Sequence, residues 1–246
     1  VQAKDGEKWR SVLYQAHLSE VFVPYQDPGK AWYWRTYMDS GEYGFGVFLS
    51  PLLSGVDCPK NATFLPVTMH QDNGQPVEIP NAMCVFERNP GKPAWRHYEI
   101  FAQSEKVSVP TEGRAQTELV VRSASQVGNY DYLVDYVFQQ NGSINIDVIA
   151  TGIDAVKGVA TKHLKDATAA KDTKYGSLIA PHLVAPNHDH YFNFRLDFDI
   201  DGQNNSFVHT ELKRGKNAPD ALRKSFWVAQ PKMVEREMEG RLRIDN

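Results

Sequence analysis

His188 and His190 are the residues of this sequence whose type and spacing most directly predict chemistry. Side chains two positions apart on a β-strand project from the same face, so the two imidazole rings would lie side by side. Copper and zinc are metals that favour neutral imidazole ligands. The pair therefore offers half of a metal site; the alternative is two partly exposed strand histidines that bind nothing.

Two carboxylates, Asp197 and Asp199, follow on the same stretch and share its polar face. They would repel each other unless a cation or hydrogen-bond donors lay between them. Hard cations such as calcium bind carboxylate and carbonyl oxygens, and the carbonyl of Phe198 could complete a compact site. The alternative is a solvated acidic face.

Asp39 follows the aromatic-rich run Trp32–Met38. A carboxylate held among aromatic rings loses hydration, which raises its pKa and suits it to act as a general base near neutral pH. The alternative is a turn aspartate before Ser40 and Gly41. Tyr130, judged from its own surroundings alone, would be a core tyrosine.

Alternation of apolar and polar residues predicts the strands that must position these side chains. Tyr130–Phe138 alternates with a period of two, Asn141-Gly142 is a hairpin signal, and Ile144–Val148 continues the alternation on the returning strand. His188–Ile200 is predicted to form one long strand. Asp154–Pro181 has little periodicity beyond a possible short helix and is predicted to be a long surface excursion. Strands dominate, so the predicted fold class is all-β, in the form of a large antiparallel β-sandwich.

Composition excludes some classes of partner. The chain has 246 residues, 41% of them hydrophobic, which is enough for a sizeable core. Its formal net charge of -3 gives no electrostatic footprint for nucleic acid, and no apolar run is long enough to span a bilayer. Two cysteines permit one disulfide, and three glycosylation acceptor tripeptides begin at Asn61, Asn141 and Asn204. These features favour an oxidising, secretory-type compartment.

Several motifs, in order along nearly the whole chain, resemble those of the copper-containing amine oxidases, the topaquinone enzymes. The quinone motif of that family is Thr-x-x-Asn-Tyr-Asp/Glu, and it stands here as Gln126–Asp131, with Gln126 in place of the expected Thr. Val23–Pro28 and Tyr37–Gly44 are similar to the segments that carry the family's active-site tyrosine and catalytic base. Leu196–Gly202 resembles its second, structural metal segment.

The resemblance implies a role for each residue near the quinone. Tyr130 would be the precursor of topaquinone, formed when copper and dioxygen oxidise the tyrosine. Asp39 would be the catalytic base and Tyr25 the hydrogen-bonding partner of the quinone. Tyr37 would be a gate residue that lines the amine channel, and Asn129 would help to hold the quinone ring in place.

The resemblance also implies two metal sites. Copper would be bound by His188, His190 and a third histidine, which the family carries in a segment expected beyond Asn246. A calcium-like ion would be bound by Asp197, Asp199 and the carbonyl of Phe198.

At the level of the whole chain, the resemblance implies that residues 1–246 form part of a catalytic domain that lacks strands at both ends. Cys58 and Cys84 match the paired cysteines of the eukaryotic branch and are predicted to form a disulfide. The implied activity is oxidative deamination of a primary amine by dioxygen to an aldehyde, ammonia and hydrogen peroxide. The implied assembly is a homodimer of the longer chain.

Two other hypotheses stay open from the sequence. One is a catalytically silent relative, in which Gln126 and the missing copper ligand mark lost activity. The other is an unrelated β-sandwich that binds a divalent metal through His188 and His190. Secretion is the expected location, with the peroxisome and the periplasm as alternatives.

Overall fold

A computed structural model describes residues 1–38, 45–98 and 112–241. Two short α-helices lie in this part of the chain, α1 (Lys30–Tyr33) and α2 (Ala169–Asp172), with 3-10 turns at Phe45–Phe48 and Glu237–Gly240. The strands are β1 (Gln2–Asp5), β2 (Lys8–Ser11), β3 (Leu13–Pro24), β4 (Thr36–Met38), β5 (Thr63–His70), β6 (Pro76–Arg88), β7 (Pro93–His97), β8 (Glu112–Ala115), β9 (Glu118–Val127), β10 (Tyr130–Gln139), β11 (Ile144–Gly152), β12 (Lys157–Gly158), β13 (Gly176–Ala180), β14 (Leu183–Pro186), β15 (Tyr191–Phe198), β16 (Phe207–Lys216) and β17 (Ser225–Val234).

The chain divides into two compact units, Val1–Ser19 with Asn193–Asn246, and Glu20–Phe192. The first unit contains the antiparallel pairs β1–β2 and β16–β17. Strands β3 and β15 contribute residues to both units. The second unit contains every residue described below for the candidate site except the acidic pair near Phe198.

A five-stranded antiparallel sheet in the order β11-β10-β9-β6-β5 is the main element of the second unit. It confirms the predicted strand at Tyr130–Phe138 and the hairpin at Asn141-Gly142. Both faces of β10 are covered, because Tyr132 and Val134 are buried on one face and Val137 on the other. The starting residue of β10, Tyr130, is therefore carried by a well-packed strand.

The predicted disulfide between Cys58 and Cys84 is present. It lies in a core cluster that includes Leu52 and Val137. On the same face Asp135 is fully buried, and the guanidinium of Arg122 donates two hydrogen bonds of 2.6 Å to its carboxylate oxygens. Burying a charge is costly unless it is paired and hydrogen-bonded, and this pairing meets that condition.

Two parts of the sequence-based strand prediction are wrong. Asp154–Pro181 contains the possible short helix, which is present as α2, but it is not otherwise an irregular excursion. It also contains β12 and β13, which flank β14 in a small antiparallel sheet. These strands are two to five residues long, too short to show a period of two. The strand predicted to begin at His188 begins at Tyr191. His188 forms an isolated bridge with Tyr25 instead.

No helix among the described residues is both long enough and apolar enough to cross a membrane.

Candidate active site

Tyr130 stands directly after a two-residue turn, Gly128-Asn129, that joins β9 to β10. Gly128 has a φ of 62° and Asn129 a negative φ, the pattern of a type II′ turn, which suits the twist of a hairpin. The side-chain amide of Gln126 donates a hydrogen bond of 2.5 Å to the Gly128 carbonyl. The glutamine that stands in place of the expected Thr therefore contacts the turn that precedes Tyr130.

The hydroxyl of Tyr130 contacts two groups among the described residues. The Tyr25 hydroxyl lies 2.5 Å away, with either oxygen able to donate. The backbone N–H of Ala155 donates to the same oxygen at 3.4 Å. One oxygen atom of Tyr130 is thus held by a side chain from the end of β3 and by a backbone group from the segment between β11 and β12.

Tyr25 is buried between two other rings. Its ring centroid lies 5.3 Å from that of Trp32, in α1, and 4.3 Å from that of His188, with the latter pair stacked at 20°. The backbones of Tyr25 and His188 are also bridged. This packing leaves the Tyr25 hydroxyl directed at Tyr130.

His188 and His190 lie against Tyr130. Their ring centroids are 4.8 Å apart, and each is 5.4 Å from the Tyr130 centroid. Nδ1 of His188 is 3.0 Å from the Pro186 carbonyl. A carbonyl can only accept, so Nδ1 carries a hydrogen, and Nε2 is the nitrogen left to bind a metal. The predicted same-face pair is assembled, and the Pro186 carbonyl fixes the orientation of the His188 ring.

The hydroxyl of Tyr132 lies 2.9 Å from Nδ1 of His190 and fixes that ring. Burial lowers the pKa of His190, and the nearby His188 lowers it further, with Asp189 and Asp154 opposing. The ring is therefore neutral at neutral pH.

An apolar cavity of about 320 Å³ opens beside Tyr130. Its walls come from the turn, from β3, and from residues near α1 and β12. They are Val21, Val23, Tyr25, Arg35, Phe48, Val127, Gly128, Asn129, Tyr130, Tyr132 and Ala155.

Asp39, the predicted base, lies outside the described residues. Of Tyr37, only the backbone is described, and it pairs with Val23 in the β3–β4 ladder. Since Val23 lines the cavity, β4 runs alongside the cavity wall and ends one residue before Asp39.

The residues of the predicted calcium-like site lie in the first unit. Asp197 is exposed and Asp199 is half-buried. The carbonyl of Phe198 accepts a hydrogen bond of 3.2 Å from the side-chain amide of Asn205. Within residues 1–38, 45–98 and 112–241, no three His, Cys, Asp or Glu side chains are grouped to hold a metal. The site stays a prediction.

The sequence interpretation missed Tyr132, Ala155 and a buried ion pair between Asp27 and Lys157. The sequence could have indicated Tyr132 as a site residue, because it stands two positions after Tyr130 and shares its face. Ala155 acts through its backbone and Lys157 is distant in sequence from Asp27, so neither leaves a local pattern.

The fold and the site define an antiparallel β protein in which a hairpin tyrosine lies against a histidine pair. The chain belongs to the copper amine oxidase family, because the family model described as the copper amine oxidase enzyme domain matches residues 1–246. This excludes the hypothesis of an unrelated metal-binding sandwich.

Relatives of established name support the assignment. The chain is 42% identical over 245 residues to a primary amine oxidase of Klebsiella aerogenes. The aligned region covers 100% of this chain and 31% of that protein. It is 41% identical over 242 residues to the peroxisomal copper-containing amine oxidase alpha 2 of Arabidopsis thaliana, covering 98% of this chain and 35% of that one. The chain thus spans about a third of the length of these relatives.

The fold is similar to that of a copper-containing benzylamine oxidase from Hansenula polymorpha. The TM-score is 0.72 at 30% sequence identity, over 92% of this chain and 33% of the other. This likeness confirms the predicted all-β fold class, the antiparallel β-sandwich of copper amine oxidases.

Proposed function

We propose that the protein containing this chain oxidises primary amines with dioxygen and water to an aldehyde, ammonia and hydrogen peroxide, using copper and a topaquinone made from Tyr130. Residues 1–246 would form part of its catalytic domain. The observation that carries the proposal is the convergence on Tyr130 of the Tyr25 hydroxyl and the rings of His188 and His190.

The histidines fit copper. Nε2 of His188 is the nitrogen left for a metal because Nδ1 donates to the Pro186 carbonyl, and the ring of His190 is held by the Tyr132 hydroxyl. Two imidazoles are a donor set that copper favours. When bound, copper would supply the redox chemistry with dioxygen that converts Tyr130, and a third histidine would complete the ligand set.

The chain's own residues place two hydrogen-bond partners around the Tyr130 hydroxyl oxygen. The Tyr25 hydroxyl can donate to it or accept from it, and the Ala155 N–H donates to it. Donors fixed in advance around an oxygen stabilise negative charge that develops there. In turnover the same two groups would hold that oxygen and fix the orientation of the ring.

The remaining roles are proposed from the cavity beside Tyr130 and from the resemblance to the family. The apolar cavity beside Tyr130 would receive the carbon chain of the amine and exclude water. Asp39 would remove a proton from the carbon next to the amine nitrogen, and Tyr37 would gate the channel. Asn129, in the turn before Tyr130, would help to hold the quinone ring in place.

Other properties are proposed from the family alone. A calcium-like ion would bind at Asp197, Phe198 and Asp199, and the full protein would be a homodimer. Secretion remains the proposed location, supported by the disulfide between Cys58 and Cys84. The peroxisome is the alternative that the name of the Arabidopsis relative supports, and the periplasm is a further one.

The direct test is hydrogen peroxide release by the full-length protein, loaded with copper in air and given benzylamine. We expect peroxide and aldehyde in equal amounts. Asp39→Asn should lower turnover by about a hundred- to ten-thousandfold while the quinone still forms. Asp72→Asn, at an exposed position in the turn between β5 and β6, is the matched control and should leave turnover unchanged.

Retained turnover in Asp39→Asn would remove that residue from the base role. Absence of both peroxide and quinone in the copper-loaded wild-type protein would instead favour the catalytically silent relative.

A further inference from the structure

Asp27 is a buried carboxylate that the proposed chemistry does not use. It is 4% exposed, and Nζ of Lys157 lies 2.5 Å from its Oδ2. The backbone N–H of Gly29 donates to the other carboxylate oxygen at 2.8 Å. Burial raises the pKa of Asp27, but the hydrogen bonds from Lys157 and Gly29 outweigh this and hold the pKa below its ordinary value. The carboxyl group of Asp27 is therefore ionised at neutral pH.

The two partners of this ion pair come from the two segments that meet at Tyr130. Asp27 stands two residues after Tyr25, whose hydroxyl contacts the Tyr130 oxygen. Lys157 stands two residues after Ala155, whose N–H donates to the same oxygen. The ion pair thus ties together the backbones that deliver the two hydrogen-bond partners of Tyr130.

The same segment also connects to the histidines. Lys157 lies in β12, where it pairs with Val184 of β14. Strand β14 ends at Pro186, whose carbonyl accepts from His188. Movement of the Lys157 segment would therefore be transmitted to the partner of His188 as well as to Ala155.

Separating the pair would leave a charge in a buried position without a partner, which is strongly unfavourable. The ion pair consequently resists the separation of the Tyr25 and Ala155 segments. A displacement of about 1 Å in a reacting group is enough to slow a reaction by about a hundredfold.

We propose that Asp27 and Lys157 are positioning residues that hold Tyr25 and Ala155 on the Tyr130 oxygen. Their part in quinone formation rests on the proposed function, whereas the contact itself does not. Neither residue touches substrate or metal; both act through the groups that they place.

The experiment compares full-length variants in metal-free form and after copper is added in air. Lys157→Met removes the cation, Lys157→Arg retains it, and the double variant Asp27→Lys with Lys157→Asp reverses the pair. Asp135→Asn is the matched control, since it breaks another buried ion pair, with Arg122, on the opposite face of the sheet from Tyr132.

The first readout is amide hydrogen exchange at Ala155 in the metal-free protein, which needs no quinone. We expect exchange about tenfold faster or more in Lys157→Met, and near the wild-type rate in Lys157→Arg and Asp135→Asn. The second readout is the first-order rate of quinone absorbance growth per folded molecule after copper addition. We expect it to fall about ten- to hundredfold in Lys157→Met and to recover in Lys157→Arg.

A purely stabilising ion pair would make Lys157→Met and Asp135→Asn behave alike, and that result would overturn the proposal. Unchanged exchange at Ala155 in Lys157→Met would overturn it as well. If wild-type protein formed no quinone but Ala155 exchanged faster in Lys157→Met, the positioning contact would stand and the proposed function would fail. Should Lys157→Met not fold, the arginine and reversed-pair variants carry the test, with loss of quinone formation in both overturning it.

Discussion

Gly152 provides a test of how closely the β11 strand is fitted to the turn that carries Tyr130. It pairs with Tyr130 in the β10–β11 ladder and has a φ of 107°. A Cβ at this position would lie 2.5 Å from the Asn129 carbonyl oxygen and 2.9 Å from the Tyr130 Cα. Both neighbours are backbone atoms, so they cannot turn aside as a flexible side chain could.

The loss of stability expected for Gly152→Ala has two parts, which can be separated by comparison with Gly142, in the hairpin turn after β10. Gly142 has a φ of 87°, and a Cβ there would meet no atom within 4 Å. Alanine at either position carries backbone strain of about 1–3 kcal/mol. Only Gly152→Ala adds overlap with the turn, which costs about 1–3 kcal/mol more.

The assay is thermal unfolding of the two metal-free full-length variants, followed by quinone formation after copper is added. About 1 kcal/mol shifts Tm by about 2–4 °C in a domain of about 150–250 residues and by less in a larger one, so Gly152→Ala should melt about 1 °C or more below Gly142→Ala. Gly152→Ala should also form quinone more slowly, because the turn and Tyr130 must move. Equal melting temperatures and equal quinone rates would refute the close fit.

Three further predictions concern the disulfide, copper binding through His190, and the stability of the protein at acid pH. Replacing both Cys58 and Cys84 by alanine should lower stability by about 3 kcal/mol, measured by urea unfolding, because the disulfide closes a loop with a sequence separation of 26. Tyr132→Phe removes the hydroxyl that fixes His190 and should weaken copper binding about ten- to hundredfold by competitive chelator titration; unchanged affinity would exclude the orienting role. The pKa of Asp27 is lowered in the folded state, so its stabilisation is complete above the ordinary value of 3.8 and is lost as the pH falls through the folded-state pKa. Asp27→Asn should therefore be less stable than wild type at pH 7 by about 1–3 kcal/mol, with the gap closing below about pH 4 in urea unfolding.

The parts of the fold and site that could be predicted from sequence are those with a local period. Alternation located β10 and the return of β11, and it placed His188 and His190 on one face, where both are half-buried while Asp189 is exposed. The resemblance to amine oxidases added the roles of Tyr130 and Tyr25, and their hydroxyls do meet.

The parts that could not be predicted depend on contacts between segments distant in sequence. The ion pair of Asp27 with Lys157 joins residues 130 positions apart, and no local sequence pattern predicts it. β15 begins only at Tyr191, and His188 pairs with Tyr25 through an isolated bridge, a contact between segments that lie far apart in sequence. Short strands such as β12 are formed by their partners rather than by their own residues.

The most direct test of the central claim is the mass of the Tyr130-containing peptide from full-length protein isolated with copper in air. The account predicts a residue that has gained two oxygen atoms and lost two hydrogen atoms relative to tyrosine, the composition of topaquinone. An unmodified tyrosine in copper-replete, aerated protein would contradict the assignment of Tyr130 as the cofactor precursor. The membership in the copper amine oxidase family would then remain, without the catalytic roles.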